Sequence, residues 1–355
     1  GDNGGNIGGI CENNSGTISK CFNAANISKG TGNAGIAASN TSSGTIDNCY
    51  NIGKVEAGSQ YESGICSSSY GAIQYCLNLG KVSSKGTANG ICSTGTGTID
   101  HCYNDSNVCS AALSGYGFKV TNSGDKTSAE LCGDLTALGF VENVWTKGSV
   151  GNRVVDADNS RLATITYKYP ALSGIGTPTR TVEFYNFSTT STEDWQEFTP
   201  ITTADEFLAI NDDLAAGEYK NYVLKNDINF NGKEIKPIIG ESLNSDHFKF
   251  SGNGHTIRNF KINKPDDQYV GLFAINSKGS LIMNLAVENG EIIGGVHVGG
   301  ICGYLSDNST IYGCSFDGKV TGTSSSGTAG GICGSVLGGE LTNCFSSAVV
   351  TGQNY

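Results

Sequence analysis

Gly-Gly-Ile-Cys-Gly-Tyr, residues 299–304, is the stretch that decides the fold. Variants of it recur at residues 8–11, 34–37, 63–66, 89–92 and 330–333. Each is followed about a dozen residues later by an Ile-x-x-Cys frame, and successive variants within each half lie roughly 26 to 31 residues apart. Repetition at this period is typical of solenoids and arrays, in which each repeat buries its apolar side against its neighbours.

Short apolar runs between Gly, Ser and Asn turns indicate strands rather than helices. In the first four repeats we predict strands at residues 18–22, 46–50, 73–77 and 99–103. An Asn stands two places after each Cys of these frames, and it suits a corner that recurs on every coil. Stacked Asn side chains can also hydrogen-bond along the stack. The predicted corner residues are Asn23, Asn51, Asn78 and Asn104.

The regular pattern is interrupted once, which predicts two modules. We assign residues 1–109 to solenoid repeats, 110–176 to their C-terminal cap, 177–269 to the N-terminal cap of a second module, and 270–355 to further repeats. In the first cap, helical spacing of leucines follows a predicted N-cap at Ser128. In the second, Thr203 and Glu206 form a capping-box pattern before a short amphipathic helix that Gly217 closes.

Eleven of the thirteen cysteines occupy two repeated positions, and comparison between repeats shows what those positions require. The Ile-x-x-Cys frame accepts Phe260 and Leu285 in place of Cys, and the Gly-Ile-Cys frame accepts Ala37 and Phe273. A position that tolerates these residues is most simply a packed, inward one, where Cys acts as a small hydrophobe. Buried thiol ladders are therefore favoured, disulfides stay open, and no zinc-type spacing is present.

Charge excludes some partners. The formal net charge is −11, from 33 acidic and 22 basic residues, whereas nucleic acids and anionic lipids are bound through basic patches. No apolar run approaches a membrane span. We therefore expect no nucleic-acid partner and no membrane insertion within these residues.

The two ends of the sequence read as halves of one repeat. Residues 349–355 followed by residues 1–11 give a repeat of normal spacing. Three explanations stay open: a longer tandem array, a permuted order of segments, and head-to-tail stacking of the uncapped ends of two copies.

With its repeat written as Gly-Gly-Ile-Cys-Gly, Ile-x-x-Cys and Gly-x-Val-x-Gly, the chain resembles the GLUG-motif proteins. These are extracellular bacterial repeat proteins found in adhesin-like surface proteins and in accessory regions of some immunoglobulin A peptidases. The resemblance implies a parallel β-helix or related solenoid, located extracellularly or at the cell surface. It implies no catalytic residue, and His101, His247, His255 and His297 do not form the zinc motif of the peptidases.

Function remains divided between three hypotheses. The first is a non-catalytic surface module, a stalk or adhesin that contacts a host or matrix protein or glycan, with no cofactor and no metal. The second is a carbohydrate-active β-helix, which needs paired carboxylates; the candidate acids, mostly in turn-like contexts, are Asp227, Glu234, Asp246, Asp266, Asp267 and Glu288. The third is glycan binding by a stripe next to the cysteines, either exposed for ligand contact or covered by a second packed layer: Phe22, Tyr50, Leu77 and Tyr103.

Overall fold

A computed structural model describes residues 6–57, 60–190, 192–216, 220–238 and 248–352. About half of the chain is strand and about 6% is helix, and parallel coils stack into a β-solenoid. The predicted all-β solenoid is therefore confirmed. The chain divides into two compact units: unit 1 holds residues 1–154 and 164–182, and unit 2 holds residues 155–163 and 183–355. The division into four segments that the sequence predicts stays a prediction.

The repeats of unit 1 pass through five parallel sheets, with one strand of each coil in a sheet. Two sheets contain the strands on either side of the Gly-Ile pair of the motif. The strands after it are Cys11–Asn14, Ala37–Asn40, Cys66–Ser69 and Cys92–Gly95, and those before it are Glu62–Ser63 and Ala88–Asn89. The next two carry the isoleucine frame: Thr17–Ser19, Thr45–Asp47, Ala72–Gln74, Thr98–Asp100 and Lys119–Thr121; and Phe22–Asn23, Tyr50–Asn51, Leu77–Asn78, Tyr103–Asp105 and Gly124–Lys126. The fifth contains Ile27–Ser28, Val55–Ala57 and Val82–Ser84.

The corner of each coil lies before the cysteine, so the predicted five-residue strands are wrong. Each is two strands joined by a residue with left-handed backbone, with φ of 55° at Lys20, 48° at Asn48, 51° at Tyr75 and 49° at His101. The reason is packing. Ile46 and Cys49 are both buried, whereas residues three apart on a straight strand face opposite sides. A turn at position 48 lets both side chains point inward.

The predicted asparagine ladder is confirmed, one strand past that corner. Asn23 Nδ2 donates to Asn51 Oδ1 at 2.8 Å, Asn51 to Asn78 at 3.0 Å, and Asn78 to Asn104 at 2.9 Å. The amides of Asn23, Asn51 and Asn78 also donate to their own chain two residues on, as Asn51 does to Gly53 O at 2.8 Å, whereas Asn104 donates to Cys109 O at 3.0 Å. All of these side chains are buried. Because every buried amide hydrogen-bonds along the stack, the ladder satisfies the interior polar groups that burial would otherwise penalise.

The cap of unit 1 begins with a short helix, Ser128–Leu131, and a 3-10 turn, Thr136–Leu138. Its N-cap is Thr127, which forms a capping box with Glu130, so the predicted N-cap at Ser128 is off by one residue. Leu131, Leu135 and Leu138 are buried, as their helical spacing indicates. The remaining strands of this region are Trp145–Thr146, Ser149–Val150, Val154–Val155, Leu162–Lys168, Ala171–Leu172 and Thr179–Asn186.

Unit 2 opens with the strand Trp195–Glu197 and one helix, Ala204–Ala215. The predicted capping box is confirmed: Glu206 N donates to Thr203 Oγ1 at 3.2 Å, and Thr203 N donates to Glu206 Oε2 at 3.1 Å. The predicted stop at Gly217 lies outside the described residues. Phe207 of this helix packs against Phe250 and Phe273, with ring centroids 5.8 and 6.2 Å away. The helix therefore covers the apolar interior of the first coils.

Four parallel sheets run through the coils of unit 2. The first two contain Thr199–Ile201, Asn221–Leu224, Lys249–Ser251, Leu281–Met283, Thr310–Tyr312 and Glu340–Thr342; and Ile228–Glu234, Thr256–Lys264, Ala286–Gly294, Ser315–Gly322, Phe345–Ser346 and Val349–Thr351. The other two contain Tyr269–Val270, His297–Gly299 and Thr328–Gly330; and Phe273–Asn276, Cys302–Ser306 and Cys333–Leu337.

Candidate functional site

The aromatic stripe of unit 1 is aligned as predicted but is not a ligand surface. Phe22, Tyr50, Leu77 and Tyr103 are register partners on successive parallel strands. Tyr50, Leu77 and Tyr103 are 1%, 0% and 5% exposed, and only Phe22 reaches 37%. Because three of the four side chains are buried, the hypothesis of a ligand-contact stripe here is wrong. The alternative of a second packed layer describes what is found.

Residues of the cap of unit 1 form the packed layer that covers the aromatic stripe. Phe140 and Trp145 stack with ring centroids 4.6 Å apart, and Trp145 lies 6.1 Å from Tyr50. Trp145 Nε1 donates to Asn48 Oδ1 at 2.7 Å, and Tyr103 OH donates to Leu138 O at 3.1 Å. The polar atoms of Trp145 and Tyr103 therefore each have a hydrogen-bond partner, as is usual for buried Trp and Tyr.

A buried polar network joins the cap to the last complete coil, and nothing in the sequence pattern indicated it. Tyr169 OH donates to Asp105 Oδ2, which also accepts from Ser128 Oγ at 2.8 Å. Arg180 Nη1 lies 2.9 Å from Ser128 Oγ. Burial and the neighbouring Asp105 carboxylate raise the pKa of Tyr169. The tyrosine therefore stays neutral and acts as a fixed donor that anchors the cap.

Among the acidic candidates, Asp227 lies in a structural contact with a histidine candidate, His255. Asp227 Oδ1 accepts from Thr256 N at 3.1 Å and lies 3.3 Å from His255 Nδ1. The backbone hydrogen bond from Thr256 is the main cause that lowers the pKa of Asp227. Asp246 and His247 lie outside the described residues. Among the residues that the structure covers, no three His, Cys, Asp or Glu side chains are grouped as metal ligands.

Unit 2 contains a shallow polar groove of about 420 Å³. Its lining includes Asn159, Arg161, Tyr185, Asn253, Asn284 and Ser315. Asn159 Nδ2 donates to Asn253 Oδ1 at 2.8 Å, and Arg161 Nη1 donates to the carbonyls of Asn186 and Ser188 at 2.8 and 2.9 Å. An amide-rich lining over an aromatic ring offers both donors and acceptors to a polyhydroxylated ligand. Sequence reasoning missed this groove because its residues come from distant segments.

The cysteines are free thiols, and seven of the eleven at the repeat positions are buried, as the repeats predict; Cys11, Cys21, Cys333 and Cys344 are partly buried. Cys49 and Cys76 lie in one column and Cys66 faces Cys92 in register. Cys76 Sγ donates to Gln74 O at 3.1 Å. Burial is the main cause that raises the pKa of Cys66 and Cys76 well above its ordinary value. Protonated thiols therefore fill the interior of unit 1.

In the part of the chain that is described, no helix is long and apolar enough to cross a membrane.

Two comparisons relate the chain to known sequences. Residues 294–321 match the family described as the GLUG motif. Over 122 residues the chain is 30% identical to halomucin of Haloquadratum walsbyi; the alignment covers 34% of this chain and 1% of halomucin. The chain therefore aligns with only a small fraction of that relative's length. No solved structure matches it. The matched segment contains Gly299, Ile301 and Cys302 of the opening hexapeptide, and the chain is accordingly a β-solenoid repeat protein that carries the GLUG motif.

Proposed function

We propose that the chain is a non-catalytic module of a surface or secreted repeat protein, an adhesin-like element or stalk that contacts a host or matrix protein or glycan. The single observation that carries the proposal is the GLUG-type coil itself, in which Gly, Ile, Cys and Asn serve to stack one coil on the next. Similarity to halomucin supports a surface or secreted location. The acidic net charge of −11 favours solubility and repulsion between neighbouring molecules.

The test is direct binding. The purified chain is applied to an array of glycans and extracellular-matrix proteins, and it is incubated with acidic and neutral polysaccharides while released reducing ends are measured. The proposal expects saturable binding to at least one array member and no release of sugar. Sugar release that follows saturation kinetics would overturn the non-catalytic assignment.

Carbohydrate binding is the second candidate, and the groove lined by Asn159, Asn253 and Asn284 favours it. A Ser315→Trp variant places an indole at the edge of this groove. If the groove binds glycans, the variant loses binding by calorimetric titration while a Thr136→Trp variant, in unit 1, keeps it. Equal binding by both variants would exclude the groove.

The outer coils supply a further proposed contact, between two copies of the chain. Apolar side chains exposed on the outermost coil of unit 2 are Val336, Leu337, Leu341, Phe345, Val349 and Val350. In unit 1, Ile7, Ile10 and Phe22 are exposed on the first described coil. Leu341 is the register partner of buried Ile311, so it occupies a position that stacking buries elsewhere. We propose that the outermost coil of unit 2 in one copy stacks head-to-tail on the first coil of unit 1 in a second copy. Residues 1–5 and 353–355, at the two ends of the sequence, lie outside the described residues.

Head-to-tail contacts do not close on themselves, so they produce open chains of molecules. Sedimentation velocity should therefore show mass that rises with concentration. A Leu341→Asp and Phe345→Asp double variant should remain monomeric, whereas a Val154→Asp control, at an exposed position elsewhere, should assemble as before. A constant monomeric mass would contradict this contact.

A further inference from the structure

Two pairs of cysteines connect the last two coils of unit 2. Cys302 and Cys333 are register partners on neighbouring parallel strands. Cys314 and Cys344 directly precede the register pair Ser315 and Phe345, and Phe345 N donates to Cys314 O at 3.0 Å. Strands in a sheet lie about 4.8 Å apart. That spacing falls within the Cα separation of about 4.4 to 6.8 Å that disulfides span.

The two members of each pair differ in exposure. Cys302 and Cys314 are buried under the next coil, whereas Cys333 and Cys344 lie on the outermost described coil and are partly exposed. A hydrogen bond from the Cys314 thiol lowers the pKa of Cys344 to about 7. A hydrogen bond from Cys302 likewise lowers the pKa of Cys333. An accessible thiol with a large thiolate fraction beside a second thiol is the arrangement that attacks and then resolves a mixed disulfide.

We propose that Cys314 with Cys344, and Cys302 with Cys333, are dithiol–disulfide sites that lock the outer coil to its neighbour when a small-molecule disulfide such as oxidised glutathione is present. The Cys344 thiolate attacks one sulfur of the reagent, a protein–glutathione disulfide forms, and one glutathione thiolate leaves. Buried Cys314 then attacks the Cys344 sulfur, and its proton passes to the glutathione sulfur that leaves, so that the second glutathione departs as a thiol. Two protein thiols are oxidised and one glutathione disulfide is reduced to two thiols.

The other repeat cysteines make the reaction selective. Cys66 and Cys92 are also register partners, but both are buried, so the reagent reaches neither. Cys11 is partly exposed, but its register partner is Ala37, so a mixed disulfide formed there has no resolving thiol on the neighbouring strand. Cys21 is partly exposed and lies beside Cys49 on the next coil, but burial and the neighbouring Cys49 thiol raise the pKa of Cys21, so its thiolate fraction is small. Closing the bond draws the two Cβ atoms to about 3.8 Å.

The test combines redox titration with peptide mapping of the native chain. The protein is equilibrated in mixtures of reduced and oxidised glutathione, quenched with an alkylating reagent, and digested after Lys, Asp and Glu. Asp307 separates Cys302 from Cys314, and Glu340 separates Cys333 from Cys344, so each bridge gives a distinct cross-linked peptide. We expect the bridges 314–344 and 302–333, loss of four titratable thiols, and a higher thermal midpoint for the oxidised form.

Single variants distinguish a resolving thiol from a bystander. Cys314→Ala should leave Cys344 as a stable glutathione adduct, and Cys344→Ala should leave Cys314 unmodified. A Cys109→Ala control, altered at a buried cysteine of unit 1, should form both bridges as the parent chain does. The proposal is overturned if Cys344 of the parent chain accumulates as the glutathione adduct, if it cross-links to Cys333, or if all four thiols stay reduced.

Discussion

The two units fill the same position of the repeat with opposite chemistry. Two residues after the frame cysteine, unit 1 places Asn51 and Asn78, whereas unit 2 places Val287 two residues after Leu285 and Phe316 two residues after Cys314. The asparagines form a buried hydrogen-bonded column, and Val287 and Phe316 belong to an apolar core. The solenoid therefore does not require either chemistry at this position. Within each unit, the inner coils place residues of the same kind one above the other, Asn51 against Asn78 and Val287 against Phe316.

The glycine of the motif is what the two units share. A Cβ built on Gly64 would lie 2.2 Å from Asn78 Cγ and 2.2 Å from Gly90 O. A Cβ on Gly300 would lie 2.3 Å from Phe316 Cγ and 2.3 Å from Gly331 O. In both units the glycine leaves room for the side chain of the variable position and for the backbone of the next coil. This explains why Gly recurs while its neighbours vary.

The largest expected effect comes from removing that shared feature. Gly64→Ala forces the Cβ into a backbone carbonyl as well as into Asn78, so repacking of one side chain cannot relieve it. We expect a loss of roughly 3 kcal/mol or more in the free energy of unfolding, above the usual range for overpacking. Urea unfolding followed by circular dichroism measures it. Gly16→Ala is the control, since a Cβ there meets nothing within 4 Å; similar losses in the two variants would show that close approach is not the cause.

The second prediction concerns a buried carboxyl, Glu62, four residues before Cys66; unit 2 buries Val298 four residues before Cys302. Glu62 is 0% exposed and accepts from Asn33 N at 3.0 Å. Burial raises the pKa of Glu62 to about 7, from about 4.3 in an unfolded chain. Stability that depends on the protonated form is therefore complete below about pH 4.3 and is lost as pH rises through 7, by up to about 3 kcal/mol.

Thermal unfolding measured between pH 4 and 8.5 checks whether the stability of the chain falls as pH rises. Glu62→Gln should remove most of this dependence and should be more stable than the parent chain at pH 8, because the amide stays neutral. The control is Glu12→Gln at an exposed position of the first coil. If the parent chain gained stability from pH 4 to 8.5 and Glu62→Gln removed that gain, the raised pKa of Glu62 would be contradicted.

Breaking the polar column is the third test. Asn78 accepts from Asn51 and donates to Asn104, so Asn78→Leu leaves a donor and an acceptor buried without their partners. We expect a loss of about 2 kcal/mol or somewhat more. The reciprocal change, Val287→Asn in unit 2, should be destabilising for the opposite reason, since no amide lies above or below it. If Asn78→Leu costs no more than Asn13→Ala, an exposed control, the column contributes nothing specific.

The sequence was sufficient wherever one repeat could be compared with another. Inward cysteines and the asparagine ladder follow from substitution patterns such as Cys49 against Phe260, because equivalent positions share an environment. The predicted corners are misplaced because Lys20 and Tyr75, which have left-handed backbone, belong to residue types with no intrinsic preference for it. The covered stripe was not predictable from local pattern either: the contact of Trp145 with Asn48 joins residues 97 positions apart. Repetition informs about coil stacking, whereas the cap occurs once and offers no internal comparison.

The smallest expected effect concerns the contribution of buried sulfur atoms to the stability of unit 1. Cys76→Ala removes a buried sulfur at a position where unit 2 places Phe260 or Leu285, and we expect a loss of about 1 kcal/mol from the missing volume. Cys109, buried beside Ile27, Val55 and Val82, lies outside the column and provides the matched variant Cys109→Ala. If unfolding by urea shows equal losses, the stacked thiols act only as small apolar groups. A distinctly larger loss at Cys76 would mean that sulfur–sulfur contacts along the column stabilise the stack, in the way that the asparagine amides do on the neighbouring strands.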